Sequence, residues 1–195
     1  MKELLIATAN KGKVEDFKKL FQGMYEVKSL LDYPHIPDII EDGQTFQDNA
    51  QKKAEVLSKA LNETVVADDS GLVIDALNGR PGVFSARYAG EEKNDQANIK
   101  KVLEDLRGVA EQDRTARFVC TIALASPDKK TIFFEGQCEG CISHEQIGEN
   151  GFGYDPIFYV GQTTKTMAQL TLEEKNEISH RARAIEQLNN YLIGE

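Results

Sequence analysis

The sequence predicts an α/β protein built on a mixed sheet. Through the first half of the chain, short apolar runs alternate with stretches of helical periodicity. Two longer strand-like runs then follow each other across Ser126-Pro127-Asp128, which reads as a hairpin. Alternation favours parallel neighbours and a hairpin demands antiparallel ones, so the sheet is expected to hold both.

Leu4 to Ala7 is the first strand, running into the polar turn Thr8-Ala9-Asn10-Lys11-Gly12-Lys13. Val14, Phe17, Leu20 and Phe21 then recur at helical spacing. Tyr25 to Leu30 is a second strand, and DYPHIPDIIEDG, with two prolines, is loop or irregular edge. Thr45 opens a helix reaching about Leu61. Val65 to Ala67 and Leu72 to Ile74 are strands on either side of the acidic turn Asp68-Asp69-Ser70-Gly71. Asn94 to Leu106 is an amphipathic helix ended by Gly108, and Arg117–Ala125 with Thr131–Ile142 form the hairpin. A glycine-rich loop occupies Gly148 to Pro156. Thr171 with Glu174 makes a capping box, and Ser179 is placed to cap a last helix carrying Ala182, Ile185, Leu188 and Leu192. Neither a repeat nor a low-complexity linker divides the chain, so its 195 residues are expected to form a single domain.

Hydrophobic residues make up 41% and charged residues 28%, an ordinary globular balance. A net charge of −9 argues against a nucleic-acid polymer as partner, which calls for a basic face. It leaves room for a nucleotide site, where a few lysines and a metal can hold phosphates. No apolar run approaches a membrane span and MKELLIATAN lacks a signal pattern, so a cytoplasmic location without membrane contact is expected. Cys120, Cys138 and Cys141 are an odd number, which speaks against a disulfide framework. Cys138 and Cys141 form a lone C-x-x-C inside a strand-like run, a weak signal for zinc or redox work.

Val65 to Gly90 is the most informative stretch. Adjacent Asp68 and Asp69 repel each other and are costly to desolvate, so a cation is expected beside them. Mg2+ suits carboxylate oxygens and leaves positions for water and phosphate. Asp, Ser and Gly are equally ordinary turn formers, so on this segment alone a metal site and a polar hairpin turn both fit.

The turn from Thr8 to Lys13 follows a strand and opens a helix, where unpaired N–H groups favour phosphate. It is not a Walker A loop, because the leading glycine is missing and Val14 stands where Ser or Thr should be. A solvated helix start with stray lysines is the lesser alternative. On the helix from Thr45, Phe46, Ala50, Ala54, Leu57 and Leu61 define an apolar face that includes Lys53, with Asn49 at its edge. A lysine there needs a carboxylate or a phosphate, unless it snorkels to water. Glu41 lies just upstream as a possible further metal ligand. Phe152, Gly153, Tyr154 and Asp155 set two aromatics and an acid in a glycine loop, fit to stack on a base or to pack as satellite core. Lys175, His180 and Arg181 gather cations near a helix start, and no Ser-His-Asp or Cys-His set points to covalent catalysis.

In order along nearly the whole chain, these blocks resemble the inosine triphosphate pyrophosphatase family. The matching blocks are Thr8 to Lys13, Glu41 with Thr45-Phe46 and Asn49-Ala50, Lys53, Ala67 to Leu72, and Pro81-Gly82 with Ser85 to Gly90. Gly151 to Pro156, Glu174-Lys175 and Ile178 to Arg181 complete the series. Thr8 stands where relatives often carry serine, which keeps the hydroxyl, and the cysteines belong to no family block.

The resemblance implies an elongated mixed sheet flanked by helices, two lobes around a central active-site cleft, and a homodimer. It implies Mg2+-dependent hydrolysis of noncanonical purine nucleoside triphosphates (ITP, dITP, XTP) to the monophosphate and pyrophosphate. Carried onto this chain, Thr8, Ala9, Asn10, Lys11, Gly12, Lys13 and Lys53 hold the triphosphate. Glu41 and Asp69 hold the metal, with Asp68 as a further candidate. Asp69 is also the base and Ser70 contacts the nucleotide. Phe152, Gly153, Tyr154, Asp155, Lys175, His180 and Arg181 form the base pocket. Maf-type pyrophosphatases are the nearest rival, disfavoured by the blocks at Phe152 and His180. A catalytically silent nucleotide binder is a rival of another class, disfavoured by the presence of Asp69, Glu41 and Lys53.

Overall fold

Strand β1 (Lys2–Ile6) pairs in parallel with β2 (Tyr25–Ser29) and with β3 (Val65–Ile74). The coordinates are a computed structural model describing residues 2–33, 35–36, 39–161 and 163–194. Parallel neighbours need a crossover, supplied by α1 (Lys11–Leu20) and α2 (Phe46–Leu61). The strands β4 (Thr115–Ala125), β5 (Ile132–Ile142) and β6 (Phe158–Val160) complete one sheet in the order β2-β1-β3-β4-β5-β6. Because β5 and β6 run antiparallel, the sheet is mixed, as the sequence predicted. The remaining helices are α3 (Asp95–Asp105), α4 (Leu172–Ile178) and α5 (His180–Gly194). Among the described residues no helix is long and apolar enough to cross a membrane.

Several helix starts carry side-chain caps. Asn10 accepts from Lys13 N, Thr45 and Asp48 form a capping box on α2, and Asn94 accepts from Ala97 N on α3. The box expected at Thr171 and Glu174 is present on α4, and Ser179 alone separates α4 from α5. Two elements differ from expectation. Residues 68–71 are not a turn but the middle of the ten-residue strand β3. The three-residue β6 lies just past the glycine-rich loop, where the sequence marks no element. Pro34 and Pro37, on which the loop reading at 32–43 rested, lie outside the described residues.

The chain divides into two units, one of residues 1–69, 120–136 and 181–195, the other of 70–119 and 137–180. In the first, side chains alternate across the sheet with period two. Leu4, Ile6, Val66, Cys120, Ile122 and Leu124 face Phe17 and Phe21 together with Ala184, Ile185 and Leu188 of α5. Leu5, Ala7, Val65, Ala67, Ala123 and Ala125 face Ala50, Ala54 and Leu57 of α2. The small alanines let α2 approach closely, and the larger residues fill the opposite side.

In the second unit, Leu72, Ile74, Ile99, Val102, Leu106, Phe118 and Phe158 form a separate core. Each fully buried large apolar side chain contributes about 1.5–3 kcal/mol. Ser85 threads polar bonds through it. Its Oγ accepts from Leu72 N at 2.9 Å and donates to Gly82 O at 2.6 Å, and Tyr154 Oη donates to its carbonyl at 2.7 Å.

Candidate active site

The alternation along β3 separates the two adjacent aspartates. Asp68 continues the face of Val66 toward α1 and α5, and Asp69 continues the face of Val65 and Ala67 toward α2. Asp68 is fully buried, with Oδ2 at 3.0 Å from Lys13 Nζ and 3.3 Å from Arg181 Nη2. Arg181 Nη1 donates to Asp16 Oδ2 at 2.6 Å. Two acids and two cations thus join β3, α1 and α5. Burial alone would raise the Asp68 pKa, but Lys13, Arg181 and Lys53 hold it well below the usual carboxylate range. Burial opposes the charge on Lys13, and Asp68 raises its pKa regardless.

On the other face Lys53 collects oxygens. Its Nζ donates to Asp68 O at 2.7 Å and lies 3.4 Å from Glu41 Oε2 and 3.9 Å from Asp69 Oδ1. Asn49 Nδ2 donates to Asp69 Oδ2 at 3.0 Å, and Asn49 Oδ1 accepts from Gly43 N at 2.8 Å. That second bond ties the loop carrying Glu41 to α2. Asp69, 6% exposed, has a raised pKa, with burial as the largest cause and Glu41 adding to it against Lys53 and Lys13. The snorkelling alternative for Lys53 does not describe this lysine, which is buried among three acceptor oxygens.

The Thr8–Lys13 turn lies in the same unit. Thr8 Oγ1 accepts from Asn10 N at 3.2 Å, and Ala9, Asn10 and Lys11 are exposed at the start of α1. Exposed N–H groups and a positive helix end make this a place for an anion.

In the second unit, Asp155 organises its loop. Its Oδ2 accepts from Lys175 Nζ at 2.7 Å and from Phe152 N at 3.0 Å, and Lys175 Nζ lies 4.6 Å from the centre of the Phe152 ring. Gly151 has φ +78°, and a Cβ there would come 2.0 Å from Asp155 Oδ2, so only glycine fits. Gly153 N donates to Asp95 Oδ2 at 2.9 Å. His180 stacks on Phe118 at 4.9 Å. Tyr154 is core, its ring buried and its hydroxyl bound to Ser85. Ser70, half-buried on β3, follows Asp69 directly.

The structure therefore brings together Thr8, Lys13, Glu41, Lys53, Asp68 and Asp69 in one unit and Phe152, Asp155 and Lys175 in the other. Arg181, expected with the base pocket, lies 2% exposed between Asp16 and Asp68. Sequence reasoning passed over Asp16, although Lys13, Asp16, Phe17 and Leu20 fall at i, i+3, i+4 and i+7. A carboxylate on an apolar stripe was the available signal. Cys138 and Cys141, three apart on β5, project to opposite faces, and neither is in a disulfide.

Sheet order, helix placement and fold similarity define a mixed α/β protein of the Ham1/Maf-like architecture. The chain matches the Ham1 family over residues 4–191, and it belongs to that family. It is 61% identical over 194 residues to a dITP/XTP pyrophosphatase of Shouchella clausii, covering 100% of this chain and 98% of the relative. The corresponding figures for the dITP/XTP pyrophosphatase of Halalkalibacterium halodurans are 58% over 193 residues, with 98% and 100% covered. The Staphylococcus aureus Ham1 protein has a fold matching at TM-score 0.88 and 51% identity, over 99% of each chain. A HAM1 protein from Coxiella burnetii matches at TM-score 0.89 and 43% identity, over 100% of each.

Proposed function

We propose that the protein is a Mg2+-dependent pyrophosphatase that hydrolyses ITP, dITP and XTP to the monophosphate and pyrophosphate, keeping these purines out of DNA and RNA. The observation that carries the reading is the convergence of Glu41, Asp69 and the Asp68 carbonyl on buried Lys53. Similarity over essentially the full length to relatives named dITP/XTP pyrophosphatases supports the substrate class.

The donor chemistry fits magnesium. Among the described residues no three His, Cys, Asp or Glu side chains gather as a metal cage. Mg2+ does not require one, since it is commonly held by one or two carboxylates with water and substrate phosphates. Glu41 and Asp69 would be the two hard oxygen ligands, and the raised pKa of Asp69 marks a carboxylate that gains from a nearby cation. When bound, the ion would neutralise charge on the phosphate oxygens.

The chain's own residues do the rest. Attack at the α-phosphate with pyrophosphate leaving builds negative charge that Lys13, Lys53 and the N–H groups opening α1 are placed to meet. Asn49 fixes the Asp69 carboxylate through Oδ2. So oriented, Asp69 is placed either to accept the proton of the attacking water or to hold that water in line beside the metal. Phe152, Lys175, Asp155 and His180 are assigned to the base, with His180 donating to a purine 6-oxo group.

An assay of ITP with and without Mg2+ tests the reading, with pyrophosphate expected as first product and only with the metal. ATP carries a 6-amino donor where ITP has an acceptor, so kcat/KM for ATP should be about ten- to a hundredfold lower. Equal rates on both nucleotides, or orthophosphate as first product, would defeat it.

Lys53→Met should raise KM and lower kcat together, because the charge meets the triphosphate in both ground and transition states. Methionine keeps the packed stem, so a variant with unaltered kinetics would remove Lys53 from the site.

We further propose a cytoplasmic homodimer. Light scattering at micromolar concentration should give twice the 21.7 kDa chain mass, and the single-chain mass would count against it.

A further inference from the structure

We propose that the second unit carries an additional site for a small phosphate-type dianion, formed by Lys100, Arg107 and Arg114. A cavity of about 800 Å³ lies along α3, the turn that follows it and the segment after β5, and all of its lining residues belong to that unit. Small-molecule sites usually span about 300–1,000 Å³.

Arg114 is the reason to expect an anion. It is 2% exposed and lines this cavity. Its Nε donates to Ile142 O at 2.8 Å, Nη1 to Leu106 O at 3.0 Å and Nη2 to Ser143 O at 2.7 Å. A guanidinium has five N–H donors, so one on each Nη has no partner among the described residues. Nor does any carboxylate among them lie within ion-pair distance of Arg114. Carbonyl dipoles, including the one ending α3, offset part of the charge. A buried guanidinium with no ion pair is unusual; burial lowers its pKa, against weaker upward pulls from Cys141 and Glu111.

The surroundings have the same sign. Among the described residues the Arg107 side chain, which lines the cavity, has no partner, and that of Lys100 has only Glu104, at 3.9 Å. Among the lining side chains three cations face one carboxylate, a formal +2 in a chain of net charge −9, with Glu111 the next acid toward Arg114. His144 and Gln146 add further polar side chains to the lining. The arginine fork matches phosphate oxygens, and a dianion balances the charge where a single carboxylate does not. Inorganic phosphate and a phosphate monoester share this chemistry.

The test is a titration of the isotope-labelled full chain, without divalent ions and at constant ionic strength, followed by amide NMR. With inorganic phosphate, the amides of Gly108 and Gln146 should shift and saturate in the low millimolar range. Lys100→Ala combined with Arg107→Ala should weaken this binding about tenfold or more. Glu104→Gln should tighten it, and as an exposed charge it can be removed without harming the fold. Adenosine monophosphate binding more tightly than phosphate at the same amides would assign the site to esters, and the reverse order to the free ion. Shifts confined to residues 8–13, equal binding of acetate, or unchanged affinity in these variants would overturn the proposal. None of these outcomes depends on pyrophosphatase activity.

Discussion

Asp69→Asn is expected to lower turnover of ITP by about a thousandfold or more, since a charged group serving a metal and a nucleophile together contributes several kcal/mol. The same variant should melt at an equal or higher temperature in chelator. Asp69 has a raised pKa in the folded chain, so its contribution to stability is fully present below the unfolded value and is lost as pH rises through the folded one. At neutral pH the ionised carboxylate is a burden on the fold, and asparagine removes it. The amide oxygen still accepts from Asn49 Nδ2, so the local geometry survives. Parallel measurement of kcat and the melting curve checks both parts. A variant retaining a tenth of the wild-type rate at saturating Mg2+ would take the chemistry away from Asp69.

Asp68→Ala should behave in the opposite way, with a stability loss of about 3 kcal/mol, because removing one member of a buried ion network leaves its partners uncompensated. Lys13, at 14% side-chain exposure, can turn toward water. Arg181 cannot, although Asp16 continues to hold one of its nitrogens, which keeps the loss at the lower end of the range. The pH dependence has a definite sign. Asp68 has a depressed pKa, so its contribution is present above the unfolded carboxylate value near 4 and lost as pH falls through the still lower folded value. Urea unfolding of both proteins should therefore show a constant gap from neutrality down to about pH 4, narrowing only in stronger acid. A gap below about 1 kcal/mol at neutral pH would mean that the network carries little of the fold's stability.

How far the sequence reveals this depends on the signal each residue emits. Helix α2 is legible because Thr45 caps it and five apolar residues mark one face, which also exposes Lys53 as out of place. Strand β3 is misread at its centre because Asp-Asp-Ser-Gly has the chemistry of a turn. Its place between β1 and β4, with lysines and an arginine to receive the acids, overrides that local preference. Strand β6 has too few residues for any period to show. The adjacency of Asp68 and Asp69 suggests one shared site, and only the strand conformation makes them neighbours in sequence with different surroundings. The ion pair of Arg181 with Asp16 is not legible because the two residues are distant in sequence.

The period-two geometry of β3 also bears on which changes of length the chain can survive. Loss or gain of one residue between Val65 and Asp68 would exchange the faces of both aspartates at once. The acid meant for Lys53 would meet Lys13 and Arg181, while a valine or alanine would be swung out of each apolar layer. No second substitution nearby could repair both. Insertions and deletions should therefore be excluded from this segment, even at positions where individual apolar residues can be exchanged for one another.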